Sequence, residues 1–334
     1  MTSLRDIPFS VLDLAPVVSG GDARDAFRNT LDLARNAERL GYHRYWLAEH
    51  HNMPGIASSA TAVLIGRVAD ATERIRVGSG GVMLPNHAPL AVAEQFGTLE
   101  ALHPGRIDLG IGRAPGTDQR TAHALRGSAG LGAEDFPQRL AELIGYFEHD
   151  DDRAVNAVAA EGNRPPVWLL GSSGFSAQLA GMLGLPFSFA HHFSSENTLP
   201  AVRLYRESFR PSAVLDQPYV LLGAAVTCAD TEEQARWIAG SYGLTFLSLR
   251  KGRPIPLPSP QEAADYPYTD LDRAFLDDRM ASTIVGSPET VRKGLESLLA
   301  DTEADEIMVT TMVHDHADRL RSYELLADLV NETP

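Results

Sequence analysis

The sequence predicts an α/β fold, a TIM (β/α)8 barrel with extended loops after the fourth and seventh strands. Short apolar runs rich in β-branched and aromatic residues recur along the 334 residues. Each run is followed by a Gly, Pro or polar cluster and then by a longer segment with helical spacing. Eight such units favour a closed parallel barrel. An open doubly wound sheet remains the alternative, because alternation alone does not show closure.

Each predicted strand is a short apolar segment, and together they occupy residues 9–14, 44–48, 75–80, 106–112, 167–171, 187–192, 219–227 and 306–311. The helix after the first strand illustrates the pattern that follows each of them. Phe27, Leu31, Ala34 and Ala37 lie on one face of this helix, and Gly41 supplies its C-terminal stop. Later helices are predicted at residues 61–71, 90–102, 136–147, 173–183, 199–207, 231–247 and 288–299.

Two connections are longer than ordinary ones, residues 113–135 and residues 251–280. Long connections in compact domains are usually functional lids or disordered segments. The run "GRPIPLPSP" at residues 252–260 is too rich in proline for a helix or a central strand. We therefore expect residues 251–280 to form an irregular insertion near the barrel mouth of a single domain that spans residues 1–334.

Charge and composition restrict the possible partners. The formal net charge of −15 opposes binding to nucleic acid or to an anionic membrane, so a small ligand is the better fit. Cys228 is the only cysteine, which excludes an internal disulfide and is compatible with a reducing compartment. The first residues, "MTSLRDIPFS", have no apolar signal core, and no apolar run is long enough to span a bilayer. We expect a cytoplasmic protein.

Titratable residues follow the second predicted strand and glycines end the third. A barrel of this kind has its active site at the C-terminal ends of its strands. In "WLAEHHNMPG", Glu49 and His50 come directly after the second strand. The third strand ends in "GSGG", where Gly80 and Gly81 remove side-chain bulk and let the backbone approach a flat ligand. These residues are predicted to meet at the rim of the barrel.

The next two strands end in groups that bind anions. Arg113 follows two glycines in "GIGRAPG" and presents a fork of donors that suits phosphate. The fifth strand runs into "GSSG", where Gly171, Ser172 and Ser173 precede a helix. Free amides, hydroxyl groups and the helix dipole make this turn a natural anion seat. Phosphate is therefore the predicted common ligand.

Each of these signals also has a simpler explanation. His50 and His51 could be rim histidines without chemistry, and the glycine pair could be only a tight turn. Arg113 could form a surface ion pair with Asp118, and the serines of "GSSG" could serve as an ordinary helix N-cap. The convergence of all four signals at one end of a barrel favours the functional interpretation.

Two histidine clusters suggest a metal site, "HDH" at residues 314–316 and "HH" at His191 and His192. The order HEXXH is absent from the sequence. Adjacent histidines on a strand point to opposite faces, so at most one of this pair should face the barrel mouth. We predict that the protein binds no metal.

Four segments together resemble the bacterial-luciferase-like family of flavin-dependent monooxygenases, and in particular its single-chain luciferase-like oxidoreductases. They are "WLAEHH", "VGSGGVMLPNHAPLAVAEQFGTLEALHPGRIDLGIGRAPG", "GSSGFSAQLAG" and "ADEIMVTTMVHDHADRLRSYELLA". The resemblance covers essentially the whole chain. It implies that His50 is the active-site histidine that acts near the reduced flavin, with Glu49 as the neighbouring carboxylate. It further implies a non-proline cis peptide at Gly80-Gly81, packed under the isoalloxazine ring.

The resemblance also implies a phosphate site, and the sequence departs from the luciferases at two places. Arg113 matches the arginine that holds the FMN phosphate, and Ser172 and Ser173 lie in the phosphate-binding turn. Gly112 stands where the luciferases have a reactive cysteine. His191 and His192 lie on the strand that carries a substrate-pocket tryptophan there. These departures put the fatty-aldehyde reaction in doubt.

The implied activity is an FMN-dependent monooxygenase reaction, in which reduced FMN is a co-substrate and one atom of O2 enters a small organic substrate while His50 handles a proton. A separate flavin reductase would deliver the reduced cofactor, and relatives suggest a homodimer. A deazaflavin-dependent dehydrogenase on the same barrel is one alternative. A non-redox hydrolase or lyase acting on a phosphorylated substrate is another, and a flavin-binding protein without turnover is a third.

Overall fold

The parallel strands close into a barrel in this computed structural model, which describes residues 3–114, 116–126 and 135–331. The strands are β1 (Phe9–Asp13), β2 (Arg44–Leu47), β3 (Arg76–Ser79), β4 (Val82–Met83), β5 (Ile107–Gly112), β6 (Val167–Gly171), β7 (Phe187–Phe189), β8 (Val220–Cys228), β9 (Ile284–Gly286) and β10 (Glu306–Thr310). Strands β1, β2, β3, β5, β6, β7, β8 and β10 pair in this order, and β10 also pairs with β1, which closes an eight-stranded barrel. The short β4 pairs with β5, and β9 pairs with the end of β8. The predicted barrel is confirmed, and the open sheet is excluded.

Helices surround the barrel. They are α1 (Ala23–Leu40), α2 (Thr61–Ala71), α3 (Pro89–Leu102), α4 (Gln119–Arg126), α5 (Phe136–Gly145), α6 (Gly174–Leu183), α7 (Thr198–Ser208), α8 (Glu232–Arg250), α9 (Pro260–Asp265), α10 (Asp270–Met280), α11 (Pro288–Thr302) and α12 (His316–Asn331). None of those in the described ranges combines the length and apolar character that a bilayer crossing requires.

Helix α1 shows how local sequence sets one of these elements. Asp22 accepts a hydrogen bond from the Asp25 amide and begins the helix, and Gly41 ends it with φ of 85°. The predicted apolar face is only partly right. Ala34 and Ala37 are buried as expected, but the core face also includes Leu33, whereas the larger residues of the predicted stripe stay half-buried.

A layer of buried charges fills the N-terminal end of the barrel interior. The Nε atom of Arg44 lies 3.0 Å from Glu306 Oε1, and its Nη1 atom lies 2.9 Å from Asp108 Oδ2. Asp108 also accepts a hydrogen bond of 3.0 Å from Trp46 Nε1 and ion-pairs with Arg76. Because unpaired charges are very unfavourable in a dry interior, these partners must stay in register.

An apolar layer lies above these charges and separates them from the mouth. It consists of Leu12, Trp46, Trp168, Leu221 and Met308, all of them buried. The two indole rings meet edge to face with centroids 5.2 Å apart. The barrel is therefore filled up to the level of its C-terminal strand ends, and any ligand site must lie above that level.

Two predicted features of the long connections are corrected. Residues 251–280 are not an irregular insertion throughout: residues 251–259 and 266–269 lie outside the helices, and α9 and α10 occupy the rest. Ser259 and Thr269 form capping boxes with Glu262 and Asp272, which begin these two helices. The connection after β5 likewise contains a helix, α4. Residues 127–134 of this connection lie outside the described residues.

The Arg44 cluster predicts a large and specific stability effect. Replacing Arg44 with Met keeps a long apolar stem but leaves Glu306 and Asp108 without their shared cation. We expect the free energy of unfolding, measured by urea denaturation, to fall by about 3–5 kcal/mol. Adding Glu306→Gln should restore part of this loss, because it removes the carboxylate that has lost its ion-pair partner.

The control is Arg28→Met, which breaks an exposed ion pair with Asp25. It should change the free energy of unfolding by less than about 1 kcal/mol. A similarly small effect of Arg44→Met would contradict the role assigned to the cluster.

Candidate active site

His50 lies at the mouth of the barrel, directly after β2, and is half-buried. Its Nδ1 atom is 3.2 Å from the carbonyl oxygen of Gly116. Because a carbonyl oxygen only accepts, Nδ1 carries the proton, and Nε2 of the neutral ring keeps a lone pair. Burial lowers the pKa of His50 below its ordinary value, so this neutral form is favoured near pH 7. The free Nε2 is therefore suited to accept a proton or a hydrogen bond.

Glu49 is held by two imidazoles that come from different loops. Its Oε1 atom lies 2.9 Å from Nε2 of His51 and 2.8 Å from Nε2 of His87, and its Oε2 atom accepts from the Met83 amide at 3.1 Å. Burial by itself would raise the pKa of Glu49, but the hydrogen bonds from the two histidines hold it below its ordinary value. The ionised carboxylate thus fastens the loop after β2 to the segment after β3.

The same three side chains form the one cluster in the described part of the chain whose donor atoms lie close enough together to share a metal ion. Their present contacts are satisfied hydrogen bonds. His87 was missed by the sequence reasoning. The available signal was its place in "LPNH", just beyond the glycine pair of the third predicted strand.

The glycine pair lies on top of the apolar layer. The Gly80-Gly81 peptide is cis, as the family resemblance implied. A Cβ on Gly80 would lie 2.7 Å from Leu12 Cδ1, and one on Gly81 would lie 2.8 Å from the Gly110 carbonyl oxygen. The Gly81 contact is with backbone, so only glycine fits there, whereas a Cβ on Gly80 would require the Leu12 side chain to move. The result is bare backbone at the barrel mouth.

Arg113 lies next to the start of α6. Its guanidinium carbon is 4.1 Å from the centre of the Phe175 ring, which stands in the first turn of that helix. The predicted alternative, an ion pair with Asp118, does not occur. Asp118 instead accepts hydrogen bonds from Asn52 and Thr121. The Arg113 guanidinium is thereby placed beside the turn that the sequence predicted as an anion seat.

That turn has the features of an anion site. Ser173 occupies the N-cap position of α6, but its hydroxyl makes no capping bond, so the ordinary N-cap explanation is wrong. A Cβ on Gly171 would lie 2.7 Å from Ser176 Cβ, which explains the glycine there. Ser172 is half-buried and Ser173 is exposed. Amides at a helix N-terminus together with a nearby guanidinium favour a bound phosphate.

His191 and His192 follow β7 rather than belonging to it, so the expectation that they alternate on a strand is wrong. Nδ1 of His192 lies 2.9 Å from the Gly223 carbonyl oxygen, and Nδ1 of His191 lies 2.8 Å from the Thr198 hydroxyl. Burial lowers the pKa of His192 to about 4, with smaller contributions from Arg279 and His50. The His192 ring is therefore neutral near pH 7.

The "HDH" motif does not form a metal site in the described part of the chain. Nε2 of His314 faces the Ser19 carbonyl oxygen at 3.3 Å, and Nε2 of His316 lies 2.9 Å from Asp32 Oδ2 on α1. The two rings thus contact different partners. His316 joins α12 to α1, which is a structural role.

A family model described as luciferase-like monooxygenase matches residues 7–306. The chain belongs to this family of enzymes. A luciferase-like monooxygenase of Escherichia coli (strain K12) is 50% identical over 329 residues, which cover 98% of each chain. N-acetyl-S-alkylcysteine monooxygenase of Bacillus subtilis (strain 168) is 35% identical over 332 residues, with 97% of this chain and 98% of that protein covered. The crystal structure of apo-MsnO8 is 38% identical, with a TM-score of 0.90 and coverage of 98% and 99%.

Two more distant structures share the fold and hold flavin-type cofactors. The oxygenating constituent of 3,6-diketocamphane monooxygenase from Pseudomonas putida, in complex with FMN, is 20% identical with a TM-score of 0.71 and coverage of 97% and 98%. An F420-dependent secondary alcohol dehydrogenase in complex with an F420–acetone adduct is 15% identical with a TM-score of 0.67 and coverage of 98% and 100%. These two structures show the shared fold, and the family predicted from the sequence is confirmed by the family model.

His192 predicts a pH dependence of stability. A buried histidine with a pKa of about 4, against about 6.5 when exposed, contributes stability that is complete above about pH 6.5 and is lost as the pH falls through about 4. The variant His192→Gln lacks this titration. Its free energy of unfolding should therefore fall less between pH 7 and pH 5 than that of the natural protein. Urea denaturation at both pH values tests this, and parallel pH profiles would contradict it.

Proposed function

We propose that the protein is an FMN-dependent monooxygenase that transfers one oxygen atom from O2 to a small organic substrate. The observation that carries the proposal is the placement of Arg113 beside the unfilled first turn of α6. A cation, helix amides and two serine hydroxyls suit a phosphate dianion, which is the one strongly charged group of FMN. The family relationship supports a flavin-type cofactor.

The residues next to this proposed phosphate site suit the ring system of FMN. Gly80 and Gly81 leave bare backbone where a flat ring system would lie, and the filled apolar layer under them closes the barrel from below. Strand pairing connects this surface to the phosphate end, because Met83, two residues after Gly81, pairs with Gly112, which directly precedes Arg113. The proposed ring and phosphate sites are therefore parts of one continuous rim.

Reduced FMN, when bound, would supply two electrons to O2, so that one oxygen atom enters the substrate and the other leaves as water. The chain's own residues then have separate tasks. Arg113, Ser172 and Ser173 hold the phosphate, and the glycine pair supports the ring. His50 accepts or returns a proton at Nε2. Glu49 keeps the two rim loops together through His51 and His87 rather than acting on the substrate.

A thioether is a reasonable first substrate to test, because the relative from Bacillus subtilis is named for N-acetyl-S-alkylcysteines. Delivery of reduced FMN by a separate flavin reductase, a homodimeric assembly and a cytoplasmic location stay predictions. FMN rather than a deazaflavin is likewise part of the proposal, and titration with both cofactors distinguishes them.

Arg113→Ala tests the phosphate assignment. Loss of a charge-assisted contact should weaken FMN binding about 10- to 100-fold, measured by fluorescence titration. The free energy of unfolding should change by less than about 1 kcal/mol, because the side chain is half-exposed and forms no ion pair with a described residue. Arg28→Ala on α1 is the control and should leave FMN affinity unchanged. Equal affinity in Arg113→Ala and the natural protein would remove the assignment.

His50→Gln tests the catalytic assignment and the proposed activity. The natural protein, supplied with reduced FMN, ¹⁸O2 and an N-acetyl-S-alkylcysteine, should yield a product that carries one ¹⁸O atom by mass spectrometry. The variant should bind FMN within a few-fold of the natural affinity but form product about 10²- to 10⁴-fold more slowly. Full turnover by the variant would rule out the role of His50. Failure of the natural protein to bind FMN would overturn the proposed function itself.

A further inference from the structure

Arg279, near the end of α10, is a cation without a carboxylate partner among the described residues. Its Nη2 atom donates to the His192 carbonyl oxygen at 2.6 Å, and its guanidinium carbon lies 3.9 Å from the centre of the Phe246 ring. The less exposed arginines of the barrel, Arg44 and Arg319, each form an ion pair. In a chain with a net charge of −15, an arginine left with only a carbonyl and a ring as partners needs an explanation.

Glu196 is the carboxylate whose pKa Arg279 affects, but its hydrogen bonds go to other residues. The Glu196 carboxylate accepts from the hydroxyl of Ser194 at 2.9 Å and from the amide of Asn197 at 3.0 Å. The pKa of Glu196 is lowered first by its own backbone amide and by Ser194, and only to a smaller extent by Arg279. The described residues leave Nε and Nη1 of Arg279 without a hydrogen-bond acceptor, so these donors remain for a ligand.

Arg279 stands at the edge of an apolar wall on the barrel mouth. The wall is formed by Ala225, Tyr242, Leu257 and Met312, with Leu14, Val18, Phe246 and Met280 packed against it. Ala225 lies near the C-terminal end of β8 and Met312 just after β10, so the wall belongs to the catalytic end of the barrel. A cation at the margin of an apolar surface suits a molecule with one anionic end and one apolar part.

His192 lies between Arg279 and the proposed catalytic histidine. Its carbonyl oxygen accepts from Arg279, and its pKa, lowered mainly by burial, is lowered further by both Arg279 and His50, so both groups lie near His192. His192 holds the proton on Nδ1 toward Gly223 and is neutral near pH 7. Arg279 is therefore the one permanent cation among these three groups.

We propose that Arg279 binds a carboxylate of the substrate, so that the enzyme acts on organic acids whose apolar part rests on the half-buried side chains packed against the wall, Leu14, Val18 and Met280. The proposal rests on the proposed function and names its substrate class. A carboxylate would accept a charge-assisted hydrogen bond from a free N–H of the guanidinium. The Phe246 ring and the His192 carbonyl hold the guanidinium in place, which limits the entropy lost on binding.

Paired ligands test this proposal without turnover. Three acids, N-acetyl-S-benzylcysteine, phenylacetate and octanoate, are titrated by calorimetry into the FMN-loaded protein, each beside its neutral methyl ester. At least one acid should bind 10-fold or more tightly than its ester. In Arg279→Met the Kd for that acid should rise about 10- to 100-fold while the Kd for the ester stays within about 3-fold. Arg279→Lys should retain part of the preference, because it keeps the charge but not the fork.

The matched control is Arg273→Met on the same helix, where the exposed arginine lies 5.5 Å from the Tyr268 ring. It should leave both Kd values unchanged. The proposal would be overturned if none of the three acids binds saturably. It would also be overturned if acids and esters bind equally, or if acid binding is unchanged in Arg279→Met. If Arg279 only fastens α10 to the barrel, Arg279→Met will lower thermal stability and weaken acid and ester equally, which also overturns it.

Failure of the proposed function gives a different pattern. The acid titrations are repeated with the apoprotein, and ¹⁸O incorporation is measured separately. A preference for acids that depends on Arg279, in a protein that neither binds FMN nor oxygenates any of the acids, would support the anion site and reject the monooxygenase.

Discussion

The Arg44 guanidinium, shared by Glu306 and Asp108 inside the barrel, is the interaction on which the rest of the structure depends. It joins β2 to β5 through Asp108 and to β10 through Glu306, and these two strands lie on opposite sides of β2 in the barrel. A shift of any of these strands by one residue would leave a charge unpaired in the interior, which is far more costly than an imperfect apolar contact. The register fixed at this end determines which residues emerge at the other. Glu49, Gly80 and Arg113 appear at the mouth because their strands are held at the base.

The interior above that charge layer is solid, and the chemistry is consequently confined to the rim. Trp46 and Trp168 close the barrel below the glycine pair. The rim loops are then fastened to each other rather than to the core, through the Glu49 carboxylate and its two histidines. A strongly acidic chain thereby presents local cations, Arg113 and Arg279, in separate sectors of one opening. Local charge, not net charge, decides which ligands this opening accepts.

The repeating architecture was accessible from the sequence because each strand and helix reports its own burial through periodicity. The barrel, the helix ending at Gly41 and the irregular segment 252–259 all follow from local patterns. Two of the features that were missed depend on distant partners. β9 forms only because residues 284–286 pair with the end of β8, and β7 stops at Phe189 because the following histidines turn toward Gly223 and Thr198. Neither pairing leaves a periodic signal.

The sequence by itself determined the family and the barrel, because strand and helix periodicity and the family's motifs are local patterns. It also placed Gly80, Gly81 and Arg113 at the ends of strands. The tertiary structure alone decided which side chains share a partner. His87 joins Glu49 from a loop 38 residues away, and Arg279 reaches the His192 carbonyl across 87 residues. Hydrogen bonds and ion pairs act over a few ångströms in space, so no pattern along the chain reveals them until the strands are closed.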